Sequence, residues 1–277
     1  MRINPRIIIA IVIAIAGALT YMSSSSTNEI TGENQRVALS PDQEVALGLQ
    51  AMPEMAQQFG GEIHHRVNDY VEAVGQRVVS QSVASKTPYK FDFHVLADAQ
   101  TVNAFALPGG QVSVTIGMLR QLKSEAELAA VLGHEVGHVV GRHGAEQLSK
   151  QQFAQALVGA VGVATYDGTS NGQRDAAIAA AVAQMVSMRF GREDELQADS
   201  LGIWLMKQAG YDPKGMVSLM QVLQKQSGGQ RQPEFFSTHP SPENRLARLQ
   251  GMASAVGSGG ETGEDRYREN VLAFMKQ

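Results

Sequence analysis

Ser124-Glu125-Ala126-Glu127-Leu128-Ala129-Ala130-Val131-Leu132-Gly133-His134-Glu135-Val136-Gly137-His138-Val139-Val140 is the stretch on which the reading of this chain turns. Ser124 and Glu127 form an S-x-x-E capping box, so a helix starts there and carries Leu128, Val131, Leu132 and Val139. His134 and His138 are four residues apart, so they share one helical face and both imidazoles can reach a single ion. Glu135 sits beside them, where a carboxylate can take the proton of an attacking water. Apart from these three residues, Val131–Val140 is uncharged, as suits a helix entering a core. HExxH on such a helix predicts one zinc ion per chain and a hydrolytic function.

A catalytic zinc takes three protein ligands and keeps a fourth position for water. The chain has no cysteine, so the third ligand must be His, Asp or Glu, and no disulfide framework supports the fold. Val139-Val140-Gly141-Arg142-His143 nearly copies the metzincin run H-x-x-G-x-x-H. His143 falls one position early, however, and the required position holds Gly144. His143 therefore reads as a helix-end residue beside the last carbonyls. Downstream, Glu193-Asp194-Glu195-Leu196-Gln197-Ala198-Asp199 puts Glu195 and Asp199 one turn apart on a second helix. Glu195 could reach the ion, and Asp199 could hold a ligand histidine through its other ring nitrogen. The same run reads equally as a solvated acidic helix start. Glu193 is the fallback ligand.

Around this centre lie 277 residues with 43% hydrophobic content, enough for a sizeable core. A net charge of −4 with only 18% charged residues gives no basis for nucleic-acid binding. At the N-terminus, Arg2 and Arg6 precede the apolar run Ile7–Met22, and serines 23 to 26 follow. That pattern marks residues 1–22 as a signal anchor or a cleaved signal peptide, with the body outside the cytoplasm. Residues 23–39 read as a linker, and Ser40-Pro41 starts a helix. His64 to Ala84 reads as a helix with Val67, Val71, Val74 and Val78 on one face. Phe91, Phe93 and Val95 alternate as a strand, and Asn103–Ala106 and Gln111–Ile116 are extended around Pro108-Gly109-Gly110. Phe153–Val163 and Ala176–Met188 are alanine-rich and too short to span a bilayer singly, so they read as a helical pair over the core. Helices over Gly191–Gln208 and Pro213–Gln226 follow, and another begins at Ser241-Pro242. Residues 253–277 read as a Gly/Ser linker and a short amphipathic tail.

The ordered blocks of this chain resemble the zinc metallopeptidases that include the CAAX prenyl protease, HtpX and periplasmic BepA-like enzymes. They are Leu39-Ser40-Pro41 with Glu44 and Gly48, Asn103-Ala104-Phe105-Ala106-Leu107-Pro108-Gly109-Gly110, and His134 to His138. Then come Glu195 with Asp199, Gly210-Tyr211-Asp212-Pro213, and Ser237-Thr238-His239-Pro240 followed by Arg245. The resemblance covers about Ser40 to Leu249 and implies that Glu195 is the third ligand. It also implies an α+β, mainly helical fold with a thermolysin-like zincin core, a small sheet lying beside the active-site helix within a peptidase domain at 40–252. A single N-terminal apolar segment favours the periplasmic branch over the polytopic members.

The expected enzyme is a zinc endopeptidase of the periplasm, tethered to the inner membrane through residues 7–22 if these are not removed. It would cleave unfolded or misfolded envelope proteins with Glu135 as general base. A chaperone-like binding protein with a structural zinc is the other class. Substrate contacts are expected at Asn103, Ala104, Gln111, Val112 and Ser113, the last three on a strand that either pairs with an extended substrate or forms a plain core edge. His239 has three readings: a stabiliser of the oxyanion, a fourth ligand that keeps the enzyme latent, or a loop histidine. The stabiliser is preferred, because three ligands already leave the fourth site for water.

Overall fold

A computed structural model describes residues 5–165, 189–227, 233–240, 244–257 and 259–276. The expected helix over Ala176–Met188 and the helix start at Ser241-Pro242 lie outside the described residues. The chain divides into two compact units, Met1–Ser40 with Arg142–Met188, and Pro41–Gly141 with Arg189–Gln277.

In the first unit, α1 (Pro5–Ser23) leads into the antiparallel ribbon of β1 (Ser25–Thr27) and β2 (Asn34–Arg36). The second unit begins with α2 (Pro41–Gln58) and α3 (Arg66–Ser80), followed by β3 (Asp92–Leu96), β4 (Ala104–Ala106) and β5 (Gln111–Thr115). After the short α4 (Ile116–Leu119) comes α5 (Glu125–Val140), and α6 (His143–Thr165) returns to the first unit. The second unit resumes with α7 (Arg192–Gln208), α8 (Lys214–Ser227), α9 (Phe235–Thr238), α10 (Arg245–Ala255) and α11 (Glu264–Tyr267). The fold is mainly helical with small sheets, as the sequence implied. Among the described residues no helix is long and apolar enough to cross a membrane.

Helix α5 is buried at every position and forms the axis of the second unit. Its start is fixed by Ser124 Oγ, which accepts from the Glu127 N–H at 3.2 Å, while Glu127 Oε2 accepts from the Lys123 N–H at 2.6 Å. Val67, Val71, Val74 and Val78 of α3 are buried, as their spacing predicted. The sheet order is β3-β5-β4, with β3 parallel and β4 antiparallel to β5. This corrects the assignment of Gln111, Val112 and Ser113 to substrate pairing. Strand β5 is central, both its edges are taken up by neighbours, and all three residues are buried. An added strand needs an unpaired edge, and in this sheet β4 supplies one.

The glycine-rich stretch near residue 257 leads into a tail that belongs to the second unit rather than hanging from it. Tyr267 and Val271 are fully buried, and the Tyr267 hydroxyl donates to the Leu119 carbonyl at 2.6 Å. Arg266 grips buried Glu125, at the first turn of α5, through two hydrogen bonds of 2.8 and 3.0 Å. Glu261 bonds Arg77 of α3 and Arg266. These two guanidinium partners hold the Glu261 carboxyl down at about 2, against an ordinary value of 4.5. A depressed carboxyl stabilises the docked tail above pH 4.5, and that contribution is lost as pH falls toward about 2. Hydrogen exchange should therefore show protection of amides 264–272 falling across this window. Protection that stays flat through it would remove the ion pairs from the account.

Candidate metal centre and active site

Helices α5 and α7 meet along glycines. A Cβ at Gly137 would lie 2.9 Å from the Ala198 carbonyl oxygen, and one at Gly202 would lie 3.0 Å from the His134 nitrogen. Only residues lacking a side chain allow the backbones this close, and the closeness brings short acidic side chains of α7 to the histidines of α5. Gly191 begins α7 with its N–H donating to Asp194 Oδ2 at 2.9 Å, which uses Asp194 as a cap. Glu193 is exposed, and neither it nor Asp194 belongs to the ligand group. His143 opens α6 instead of ending α5, and it too is outside that group.

The group consists of His134, His138, Glu195 and His239, all buried, each offering one ligand atom, with those atoms within 4.8 Å of one another. His138 Nε2 lies 3.1 Å from His134 Nε2, and His239 Nδ1 lies 3.4 Å from the same atom. Glu195 Oε1 is 2.9 Å from His239 Nδ1 and 3.4 Å from His138 Nε2. His134 turns its other nitrogen to Asp199 Oδ1 at 3.1 Å, which leaves Nε2 free toward the cluster. The structure thus gathers Glu195 with the two histidines and sets Asp199 behind His134. His239 stands among the ligand atoms.

Arg245 completes the site, and the sequence reading gave it no role. Its guanidinium is buried and donates twice to Asp199, from Nε and Nη2, at 2.8 Å each. Its Nη1 stands 3.0 Å from Glu195 Oε2, an ion-pair distance out of line for a hydrogen bond. A buried arginine is costly without acidic partners, and the one sequence signal for it was its place after His239 in the family resemblance. Aromatic rings wall the histidines: Phe235 stacks on His239 at 4.4 Å, and Phe190 lies 4.0 Å from His138 between ring centroids.

The electrostatics ask for a cation. Burial disfavours a charged His134 ring, but hydrogen bonds and charge from Asp199 and Glu195 outweigh it and lift its pKa to about 9. Burial likewise opposes ionised Glu195, yet His239, His134 and His138 hold its carboxyl well below the usual range. Among the described residues, both Glu135 oxygens and His239 Nε2 are buried without a hydrogen-bond partner. Three carboxylates, three imidazoles and one guanidinium in a dry pocket are balanced by a divalent ion, and nitrogen with oxygen donors suits zinc. The residues fit the metal.

Strand β4 borders this pocket. Leu107 donates to the Gln111 carbonyl and Thr115 to that of Asn103, so residues 103, 105 and 107 face β5. Ala104 and Ala106 therefore turn their main-chain groups to the outer edge, which puts the Ala106 N–H on the Glu135 side, where it lowers that carboxyl. Asn103 is buried with its Oδ1 unpartnered among the described residues.

A helix-borne pair of histidines, a carboxylate from a second helix and a free carboxylate beside them define a metallopeptidase. Peptidase family M48 matches residues 65–253, and the chain belongs to that family. It is 32% identical over 230 residues to a beta-barrel assembly-enhancing protease of Yersinia pestis, covering 81% of this chain and 47% of that protein. A mitochondrial metalloendopeptidase OMA1 of Schizosaccharomyces pombe is 31% identical over 238 residues, covering 84% of this chain and 68% of that protein. The chain thus spans about half the length of the bacterial relative.

Proposed function

We propose that this chain is a zinc-dependent endopeptidase acting outside the cytoplasm on unfolded or misassembled cell-envelope proteins, through a thermolysin-like arrangement. The observation that carries this is the convergence of buried ligand atoms beside Glu135, whose two oxygens make no hydrogen bond among the described residues. The N-terminal apolar segment and the relatives' names support the location and the substrate class. Bound at His134, His138 and Glu195, zinc would polarise the scissile carbonyl and acidify a water. Glu135 accepts one proton as the water oxygen attacks the carbonyl carbon. As the carbon–nitrogen bond breaks, Glu135 returns that proton to the leaving amine. An extended substrate pairs with the outer edge of β4, main chain to main chain at Ala104 and Ala106, which tolerates many sequences. Asn103 Oδ1 adds an acceptor at the end of that strand. Digestion of an unfolded model protein, abolished by a chelator and restored by zinc, tests the proposal. Absence of cleavage by zinc-loaded enzyme, wild type and His239→Ala alike, would leave the binding-protein reading.

The position of His239 favours a restrained enzyme over the stabiliser expected from sequence. Its Nδ1 sits among the ligand atoms, its ring stacks on Phe235, and its main-chain N–H donates to the Phe235 carbonyl at 2.8 Å. Four protein ligands close a zinc site, as in structural centres. His239→Ala should then keep zinc and raise basal peptide cleavage by about tenfold or more, since the closed form no longer competes. A fall of about 10²–10³-fold at equal zinc loading would reinstate His239 as the oxyanion stabiliser.

A further inference from the structure

Helix α1 carries its large side chains on the outside. Ile8, Ile11, Val12, Ile15, Leu19 and Met22 are each 51–64% exposed, and Ile7 and Ile9 flank them at 44% and 51%. The stripe that meets α6 is made of small residues instead. Ala10 is buried, a Cβ on Gly17 would stand 2.9 Å from the Cβ of Ala156, and the Tyr21 ring stacks on Phe153 at 4.8 Å. In water a helix turns its large aliphatic side chains toward its partner. In hydrocarbon the order is reversed, with small residues at the helix contact and large ones outward.

The width of the exposed face identifies what covers it. At about 100° per residue, the arc from Ile7 round to Ile9 spans roughly 200°. A partner helix, or a second copy of this chain, packs on a stripe of roughly 100° and would leave much of that arc in water. A continuous apolar medium covers all of it. Helix α6 has no charged residue from Gln151 to Thr165, so the pair carries no charge along this contact. Both ends of the band are polar and basic. Arg2 and Arg6 precede it in sequence, and at the other end the Arg36 guanidinium lies 5.1 Å over the Tyr21 ring. Aromatic and arginine side chains suit the headgroup level, and the positive charge suits anionic lipid. From these observations we infer that the α1–α6 pair is a lipid-binding surface that seats the chain on a bilayer containing anionic lipid.

Flotation of the full chain tests this, after transfer from mild detergent to phosphatidylcholine vesicles with or without phosphatidylglycerol. The chain should float with the vesicles, and in larger fraction with the anionic ones. The combined variant Ile8→Gln, Ile15→Gln, Leu19→Gln should lower the floated fraction at least about tenfold. Its thermal transition by circular dichroism should stay unchanged, because the three positions lie off the α6 contact. Wild-type chain that stays in the soluble fraction, as a monomer or a vesicle-independent dimer, overturns the inference. So does a triple variant that floats as well as wild type, and equal binding to neutral vesicles removes the role of the basic ends.

Discussion

Glu135→Gln is expected to keep a full equivalent of zinc and to slow peptide hydrolysis by about two to four orders of magnitude. Glu135 is fully buried, and burial pushes its carboxyl up from the ordinary value of 4.5, while His239 and His134 pull it back and Glu195 adds to the rise. A carboxylate whose pKa burial has raised is a stronger proton acceptor than an exposed one. Glutamine keeps the volume, so no cavity opens, and it leaves His134, His138 and Glu195 untouched. What it loses is the lone pair that receives the water proton. Steady-state cleavage of a quenched fluorescent peptide, with zinc measured on the same samples, separates the two effects. Turnover within a few-fold of wild type would remove Glu135 from its role.

The difference between what the sequence disclosed and what it withheld follows from the range of each interaction. His134, Glu135 and His138 were legible because helical period alone puts the histidines on one face. The cap at Ser124 was legible because it is a contact between residues three apart. Glu195 needed a family resemblance, since nothing in a seven-residue acidic run tells a ligand from a solvated helix start. The approach that delivers it depends on Gly137 and Gly202 facing the backbone of the other helix, a pairing between residues far apart in sequence. Strand order was hidden for the same reason. Gln111–Thr115 alternates as any strand does, and only the pairing on both sides makes it central. The tail read as a loose appendage because Tyr267 meets Leu119 across 148 positions. Arg245 was quoted as one residue of a block, but its meaning lies in the two acids it holds together.

Glu195→Ala should lose zinc outright and with it all cleavage, whereas Asp199→Ala should keep a weakened site. The two acids lie one turn apart on α7 and share Arg245, but they face different partners. Glu195 Oε1 points into the ligand group, within 2.9 Å of His239 Nδ1 and 3.4 Å of His138 Nε2. Alanine there removes the group's only carboxylate and leaves imidazoles alone to hold a dication, because Glu193 is exposed and Asp194 is occupied as a cap. Asp199 acts one bond further out, on His134 Nδ1 and on two nitrogens of Arg245. Its loss frees the imidazole to rotate and should weaken zinc binding by about 10–100-fold. It also leaves a buried guanidinium with Glu195 as its remaining acid, which should cost roughly 3–5 kcal/mol of stability. Asp199→Asn keeps the shape and an oxygen for His134, so it should recover most of the zinc affinity while Arg245 still lacks its charge partner. Competition with a chromophoric chelator reads the affinity, and thermal unfolding of the metal-free forms reads the stability. Tightly held stoichiometric zinc in Glu195→Ala would move the third ligand elsewhere, and an unchanged affinity in Asp199→Ala would reduce that residue to a partner of Arg245.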